Sequence, residues 1–430
     1  MAEVFHVHEF DNGLTLLGQP MEQVSSAAVT IALPGGSAGD PGELAGAASV
    51  GAYWLLRGAG ERDTRALHDA FDSLGCRHHE DAQNEHLVLG AALLGDNLAK
   101  ALAIYSDILR RPHLAERAFA PCRELIAQEL ESLEDEPMRK ASVMIREQFY
   151  PQPLGRCPLG SRPTLTAMTP DAVAAHLGRL LSPAGATIAV AGRFRWEELV
   201  YVVGELLGDW SGPAMPAPPT APAPRGLRHL IKPTAQVQIM LAYPAETIRG
   251  KRYYPARLAQ MVLSGGTSSR LFTEVREKRA LVYAVGARYH SLRDHAGMFV
   301  YAGTTPQRAQ ETLDVTVAEL RRLGEGATEE EMARARTQLK SALVMQGEST
   351  SARADALAGD WHHLRRLRSL EELSAAVDAV TADQVAEYAR AFPADELTAL
   401  TIGPDELDTS ALAAPGRRPC SSSKPDCPTA

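Results

Sequence analysis

The chain has 430 residues, of which 45% are hydrophobic and 23% are charged. This composition is typical of a folded protein and excludes disorder as the main state, while the length favours two or more domains. The 44 basic and 53 acidic residues give a net charge of −9, which disfavours nucleic acid as the main partner.

Targeting signals and cysteines indicate a compartment. No apolar run approaches the roughly 18 residues that a membrane helix needs, and residues 1–6 lack the start of a secretory signal. The cysteines are odd in number, scattered and without a C-x-x-C pair: Cys76, Cys122, Cys157, Cys420 and Cys427. Such a pattern fits a reducing compartment, so we expect a cytoplasmic protein without a membrane span.

The first elements along the chain predict a mixture of strands and helices. Residues 11–13 (Asp-Asn-Gly) form a turn between strand-like runs, and the apolar runs 27–33 and 87–93 predict buried strands. The helical spacing of apolar residues in 64–74 predicts a core-packing helix, which Asp63 or Thr64 can cap.

A polar cluster, His78-His79-Glu80-Asp81 with His86 nearby, is the one segment whose composition suggests a metal site. On a strand, adjacent residues face opposite sides of the sheet, so His78 and His79 do not readily share an ion. We therefore expect a polar edge or loop here.

A proline-rich segment divides the chain. Six prolines in the twelve residues that begin at Pro213 remove backbone donors and favour an extended, semi-rigid linker. The predicted organisation is an N-terminal domain over 1–212, a linker over 213–226, a C-terminal domain over 227–408 and a disordered tail over 409–430.

The two halves resemble each other at an offset of about 212 residues. A Thr-capped helix followed by a β-branched strand closes both halves, over 168–192 and 380–403. Paired helices precede both, over 98–109 with 123–133 and over 309–323 with 329–343. The repeated order favours an internal duplication. We expect an α+β fold of two duplicated domains, each an antiparallel-rich sheet with helices packed mainly on one face.

The N-terminal motifs carry a family resemblance. Asn12-Gly13-Leu14, a strand, Gly35-Gly36-Ser37 and the segment G-A-A-S-V-G-A-Y-W-L-L-R-G at 46–58 follow in that order. The chain resembles the insulinase/pitrilysin superfamily of zinc peptidases, particularly its processing-peptidase branch, over nearly its whole length up to about Pro404. The resemblance implies that the two domains form half of a clamshell around peptide substrate, and that segment 46–58 corresponds to the inverted zinc motif H-x-x-E-H.

The zinc motif itself is replaced. Ser49 and Tyr53 stand at the positions of the two imidazoles, and Ala52 stands at the position of the catalytic glutamate. The family's third ligand corresponds to Glu129, 76 residues beyond Tyr53. A hydrolytic zinc ion needs about three strong ligands and an open position for water, which this set does not provide. We expect no catalytic residue and no bound metal or cofactor in this chain.

The C-terminal half retains a second family motif. The segment S-S-R-L-F-T-E-V-R-E-K-R-A-L-V-Y at 268–283 is similar to the segment with which family members grip substrate, and it implies substrate contact by Arg276 and Tyr283. Ala280 replaces a glycine usual in the family. From the residues alone, a surface ion pair of Arg276 with Glu274 or Glu277, beside a buried Tyr283, remains the alternative.

Two further groups of polar residues stand out. The strand through His78 corresponds to the family's substrate-pairing edge, which makes Glu85 and His86 candidates for lining the cleft. His362 and His363, with the arginines that follow them, predict a basic helical face that is solvated or contacts the other domain.

Two functional hypotheses follow. The first is a non-catalytic, substrate-gripping subunit of a heterodimeric zinc peptidase, whose homologous partner supplies H-x-x-E-H and the zinc. The alternative is an inactive structural or peptide-binding homodimer that resembles the core subunits of respiratory complexes. A misaligned active peptidase is the weakest option, because the chain contains no other H-x-x-E-H or H-E-x-x-H.

Overall fold

The computed structural model describes residues 3–412. Its first sheet has six strands in the order β1-β2-β8-β3-β7-β6. These strands are β1 (His6–Glu9), β2 (Thr15–Pro20), β3 (Ser26–Pro34), β6 (Arg77–Ala82), β7 (His86–Leu94) and β8 (Thr187–Gly192), and a separate two-stranded ribbon is β4 (Gly58–Ala59) and β5 (Arg62–Asp63).

The second sheet has five strands in the order β11-β12-β10-β13-β9. They are β9 (Leu227–Ile231), β10 (Val237–Pro244), β11 (Val282–Ser291), β12 (Ala296–Thr304) and β13 (Thr398–Gly403). Each sheet has one parallel pair, β2 with β8 and β9 with β13, and otherwise pairs antiparallel strands. The order of the second sheet matches the order β6-β7-β3-β8-β2 of the first sheet, strand by strand. In four of the five corresponding pairs, the two strands begin 210 to 212 residues apart in the sequence. The predicted duplication is confirmed.

The helices cover the sheets. In the first half they are α1 (Ala47–Leu55), α2 (Thr64–Ser73), α3 (Leu98–Arg110), α4 (Glu116–Ser132), α5 (Pro137–Phe149), α6 (Arg162–Ala167), α7 (Pro170–Leu180) and α8 (Trp196–Leu207). In the second half they are α9 (Tyr253–Ser264), α10 (Ala309–Arg322), α11 (Glu329–Gly347), α12 (Thr350–Leu364), α13 (Leu370–Asp378) and α14 (Ala382–Ala391). No helix in residues 3–412 is long and apolar enough to cross a membrane.

Local signals explain several of these boundaries. Asp63 caps α2 by accepting a hydrogen bond from the N–H of Ala66 at 2.9 Å, as predicted. Thr169 and Thr381 cap α7 and α14 in the same way, which confirms the shared ending of the two halves. Helix α4 begins seven residues before its predicted start.

One helix of each half packs on the sheet of the other half. Helix α5 packs on the second sheet, where Phe149 meets Phe299 with ring centroids 5.1 Å apart. Gly297 makes room for this ring, because a Cβ there would lie 2.6 Å from Phe149. Helix α12 packs on the first sheet through Leu357 and Trp361. Both sheets are thus covered on two faces, which explains why residues 27–33 of the central strand β3 are all buried and, apart from Thr30, apolar.

The linker and tail regions complete the path of the chain. Residues 211–226 contain no helix or regular strand, and Ala221 forms an isolated bridge with Gln152. At the other end, Ser410–Leu412 form a 3₁₀ turn and Leu412 is buried in the second core. Most of the tail expected over 409–430, namely residues 413–430 with Cys420 and Cys427, lies outside the described residues.

Candidate functional site

A cavity of about 1270 Å³ lies between the two halves. The first half lines it with residues from α1, β6, α4 and α5, and the second half lines it with residues from β11 and α12. The structure brings six predicted site residues to this cavity: Ser49, Ala52, Tyr53, Glu85, His86 and Glu129.

Helix α1 presents three of these residues on one side. The buried carboxylate of Asp40 holds the start of α1, because it accepts hydrogen bonds from the N–H groups of Gly46 (3.0 Å) and Ala48 (3.1 Å). The same carboxylate contacts Nε2 of His176 at 2.8 Å, and burial raises its pKa. From this fixed start, the i, i+3, i+4 spacing of Ser49, Ala52 and Tyr53 directs all three towards the cavity.

The side chains at the degenerate motif have other partners. The hydroxyl of Ser49 donates a hydrogen bond to the carbonyl of Pro158 at 2.7 Å. Tyr53 is half-buried, and burial raises its pKa, with a further rise from the carboxylates of Glu129 and Glu80. Glu129 accepts a hydrogen bond from the guanidinium of Arg139 at 2.6 Å. Arg139 therefore neutralises the one surviving ligand position of the motif.

This donor set does not fit a zinc ion. The motif positions offer no imidazole: Ser49 has a hydroxyl that is bonded to a carbonyl, Ala52 has a methyl group, and Tyr53 has a phenol whose pKa is raised. Glu129 is already paired with the guanidinium of Arg139. Within residues 3–412, no group of three or more His, Cys, Asp or Glu side chains has a metal-binding arrangement. No base stands at Ala52 to take a proton from water.

Glu85 and His86 line the cavity and also join the halves. Glu85 lies within 3.2 Å of Nε2 of His362 and accepts a hydrogen bond from the N–H of Arg293 at 3.0 Å, both in the second half. Burial opposes ionisation, but these bonds hold the pKa of Glu85 below its usual range. The ring of His86 packs edge-on against that of His362, and burial lowers the pKa of His86 to about 3.

The expected basic face at His362 is divided in the structure. Helix α12 ends at Leu364, and Arg365 takes a left-handed conformation with φ 54°. His362 and His363 then face the cavity, while Arg368 turns back to pair with Asp360. His362 thus makes the contact between halves that was one of the two expectations, through Glu85 and His86.

Arg276 and Tyr283 lie outside this cavity, on an exposed surface of the second half. Tyr283, at the start of the edge strand β11, is 83% exposed, so the alternative of a buried tyrosine is wrong. The guanidinium of Arg276 lies over the rings of Phe272 (4.9 Å) and Tyr283 (5.7 Å). Among the described residues no carboxylate pairs with Arg276. The nearby Glu274 forms its ion pairs with Lys278 and Arg279 instead.

The turn between these two residues keeps its shape despite the loss of glycine. Ala280 has φ 51°, in the left-handed region that glycine adopts freely. The strain of a side chain in this region is about 1–2 kcal/mol. The segment therefore retains the backbone path of a glycine turn at a cost to stability.

Among the cavity-lining residues that the sequence analysis did not single out are Arg146, Arg288 and His290. On β11, Arg288 and His290 are two residues apart and so share a strand face, and that spacing was the available signal. Tyr150 joins the group from α5, since its hydroxyl lies 2.7 Å from Nδ1 of His290.

Comparison with known proteins agrees with this geometry. The family model described as "Insulinase (Peptidase family M16)" matches residues 16–160, and the model "Peptidase M16 inactive domain" matches 167–339. An uncharacterized zinc protease of Rickettsia bellii is 29% identical over 419 residues, which are 95% of this chain and 99% of that protein.

Solved structures share the fold. A peptidase M16 inactive domain from Pseudomonas fluorescens has a TM-score of 0.87 at 20% identity, over 94% of this chain and 98% of that one. A protease from Helicobacter pylori has a TM-score of 0.86 at 17% identity, over 93% of this chain and 100% of that one. The chain belongs to the insulinase family of peptidases, M16, and lacks the zinc motif of that family.

Proposed function

We propose that this protein is the non-catalytic, substrate-gripping subunit of a heterodimeric zinc peptidase of the processing-peptidase type. One observation carries the proposal. The helix that would hold the metal still faces a large cavity, yet its ligand positions are Ser49 and Tyr53, and Arg139 neutralises Glu129. The protein is therefore shaped to enclose peptide and binds no zinc or other cofactor of its own.

In this proposal, the exposed Arg276 and Tyr283 bind the peptide substrate. A guanidinium and a phenol with no carboxylate partner among residues 3–412 can both hydrogen-bond the carbonyl groups of an extended peptide, whatever its sequence. Their position on the outer surface of the second half suits contact with a peptide held by a second subunit. In this arrangement the homologous partner supplies H-x-x-E-H and carries out hydrolysis.

The five scattered cysteines suit a reducing compartment, and Cys76, Cys122 and Cys157 are free and buried. We therefore place the heterodimer in the cytoplasm, where it would act on unfolded peptides.

The test combines this chain with a homologous chain that carries an intact H-x-x-E-H, sought first in an adjacent reading frame. We expect no stoichiometric zinc in the isolated chain by elemental analysis, and peptide cleavage only after mixing. Arg276→Ala should reduce cleavage by the mixture at least tenfold, whereas Lys278→Ala, an exposed cation in the same segment, should leave it nearly unchanged.

Three outcomes would contradict the proposal. One tightly bound zinc ion per isolated chain would show that the motif has been misread. A stable homodimer that ignores H-x-x-E-H partners would favour the scaffold role instead. Equal activity of the Arg276→Ala and Lys278→Ala mixtures would remove the gripping role.

A further inference from the structure

We infer that the cavity contains a binding site for a peptide carboxylate, formed by Arg146 and Arg288. This inference rests on the proposed function, in which peptide enters the cavity, and it adds a preference for acidic peptides. Arg146 lies in the last turn of α5 and Arg288 lies on β11, and both side chains line the cavity.

Within residues 3–412, both guanidinium groups lack a bound partner. In the described part of the chain, neither side chain forms a hydrogen bond or an ion pair, whereas Arg139, which lines the same cavity, is bound to Glu129. Guanidinium groups stay charged at any physiological pH, so each of the two arginines keeps a positive charge that no bound carboxylate neutralises, although Glu80, Asp81, Glu136 and Asp355 also line the cavity.

Both arginines face the same cavity, so the charge of each acts on the other. The pKa of Arg146 is lowered by burial and additionally by the charge of Arg288, although the side chain remains open to solvent in the cavity. Two like charges that converge without a counter-ion destabilise the empty site, and a bound anion relieves that repulsion. The arrangement is thus complementary to a negative group.

Among the described residues, two neighbouring carboxylates already have other partners. Glu85 is engaged by His362 and the N–H of Arg293. Glu147, next to Arg146 in sequence, accepts a hydrogen bond from the N–H of Cys157. His290 stays neutral, because burial lowers its pKa to about 4, with Arg146 adding to the effect. The site remains available to an external carboxylate.

The strand that carries Arg288 indicates that the anion belongs to a peptide. Strand β11 is the edge of the second sheet, so its outer main-chain groups can pair with an added strand. Tyr283 lies five residues earlier on the same strand, a span of about 16 Å at the usual rise. A peptide aligned along β11 can therefore reach Tyr283 and place a carboxylate at Arg288. The carboxylate can be an Asp or Glu side chain or the C-terminus, since an arginine fork binds either one.

The experiment measures binding of three fluorescein-labelled decapeptides to the full chain by fluorescence anisotropy. One carries a single central Glu and an amidated C-terminus, the second has Gln in its place and a free C-terminus, and the third has Gln and an amide. We expect at least one of the two anionic peptides to bind about tenfold more tightly than the neutral peptide. The first two arms separate a side-chain carboxylate from a terminal one.

Variants connect the preference to the two arginines. Arg146→Gln and Arg288→Gln should each remove the advantage of the anionic peptide and leave the neutral peptide's affinity unchanged. Arg117→Gln removes the same charge from an exposed position on α4 outside the cavity, and it should preserve the advantage. Added salt should weaken only the anionic peptide.

The outcomes separate this inference from the proposed function. Equal binding of all three peptides, or an advantage that survives the loss of both arginines, would overturn the carboxylate site and leave peptide holding intact. Failure of every peptide to bind would overturn both.

Discussion

Replacing Phe149 with alanine tests whether α5 couples the two halves. The Phe149 side chain is 1% exposed and lies between α5 and the second sheet, against Phe299 and below the guanidinium of Arg225 at 3.9 Å. Truncation of a fully buried phenylalanine costs about 4 kcal/mol through lost burial and the cavity left behind. Because this ring belongs to one half and its pocket to the other, the loss falls on the contact between halves.

The assay pairs thermal unfolding with limited proteolysis of the 213–226 segment. Phe71→Ala is the matched control, because Phe71 is equally buried but packs within the core of the first half. We expect both variants to lose about 4 kcal/mol of unfolding free energy, and only Phe149→Ala to be cleaved faster in the linker under native conditions. Equal cleavage rates for the two variants would refute the coupling role of α5.

Three further predictions concern single sites. Ala280→Gly should raise the unfolding free energy by about 0.5–1 kcal/mol in chemical denaturation, because relief of left-handed strain exceeds the entropy that glycine adds to the unfolded chain; a loss of stability would contradict the strain. Ser49→Ala should lower the unfolding free energy by about 1 kcal/mol, since it leaves the half-buried carbonyl of Pro158 without its donor, while Ser142→Ala, which breaks an exposed bond within a helix, should cost less than half as much. The pKa values of His86 and His290 are about 3 and 4 in the folded protein and return to about 6.5 on unfolding. The contribution of the two neutral rings to the unfolding free energy is therefore complete above pH 6.5, and it is lost as the pH falls towards 4. Each should cost at most about 2 kcal/mol by pH 5. A variant with Gln at both positions should show a flatter decline in denaturation midpoint, and an unchanged decline would contradict their burial as neutral rings.

Much of the fold could be predicted because its signals are local. The apolar runs 27–33 and 87–93 became β3 and β7, and the threonine caps marked equivalent helices in both halves. The exchange of α5 and α12 could not be predicted. An amphipathic pattern shows that a helix buries one face, but not which sheet receives it. That choice depends on contacts between residues far apart in the chain.

The sequence also predicted only part of the candidate site. The spacing of Ser49, Ala52 and Tyr53 was enough to place them on one face of a helix, and the structure directs that face into the cavity. The pairing of Glu129 with Arg139 was not visible in the sequence, because the two residues lie on successive helices whose packing angle brings them together. The cavity arginines were missed for a similar reason, since their convergence joins α5 to a strand of the other half.

The packing of α5 and α12 on the sheets of the opposite halves has a consequence for the evolution of the chain. Two copies of a half-length ancestor that swapped these helices would form the same pseudo-symmetric arrangement, with the linker later fusing one copy to the next. The halves should accordingly fail as separate modules yet reassemble when supplied as two fragments. Fusion freed each copy to diverge, and the degenerate helix and the Arg276 surface now occupy opposite members of that former pair.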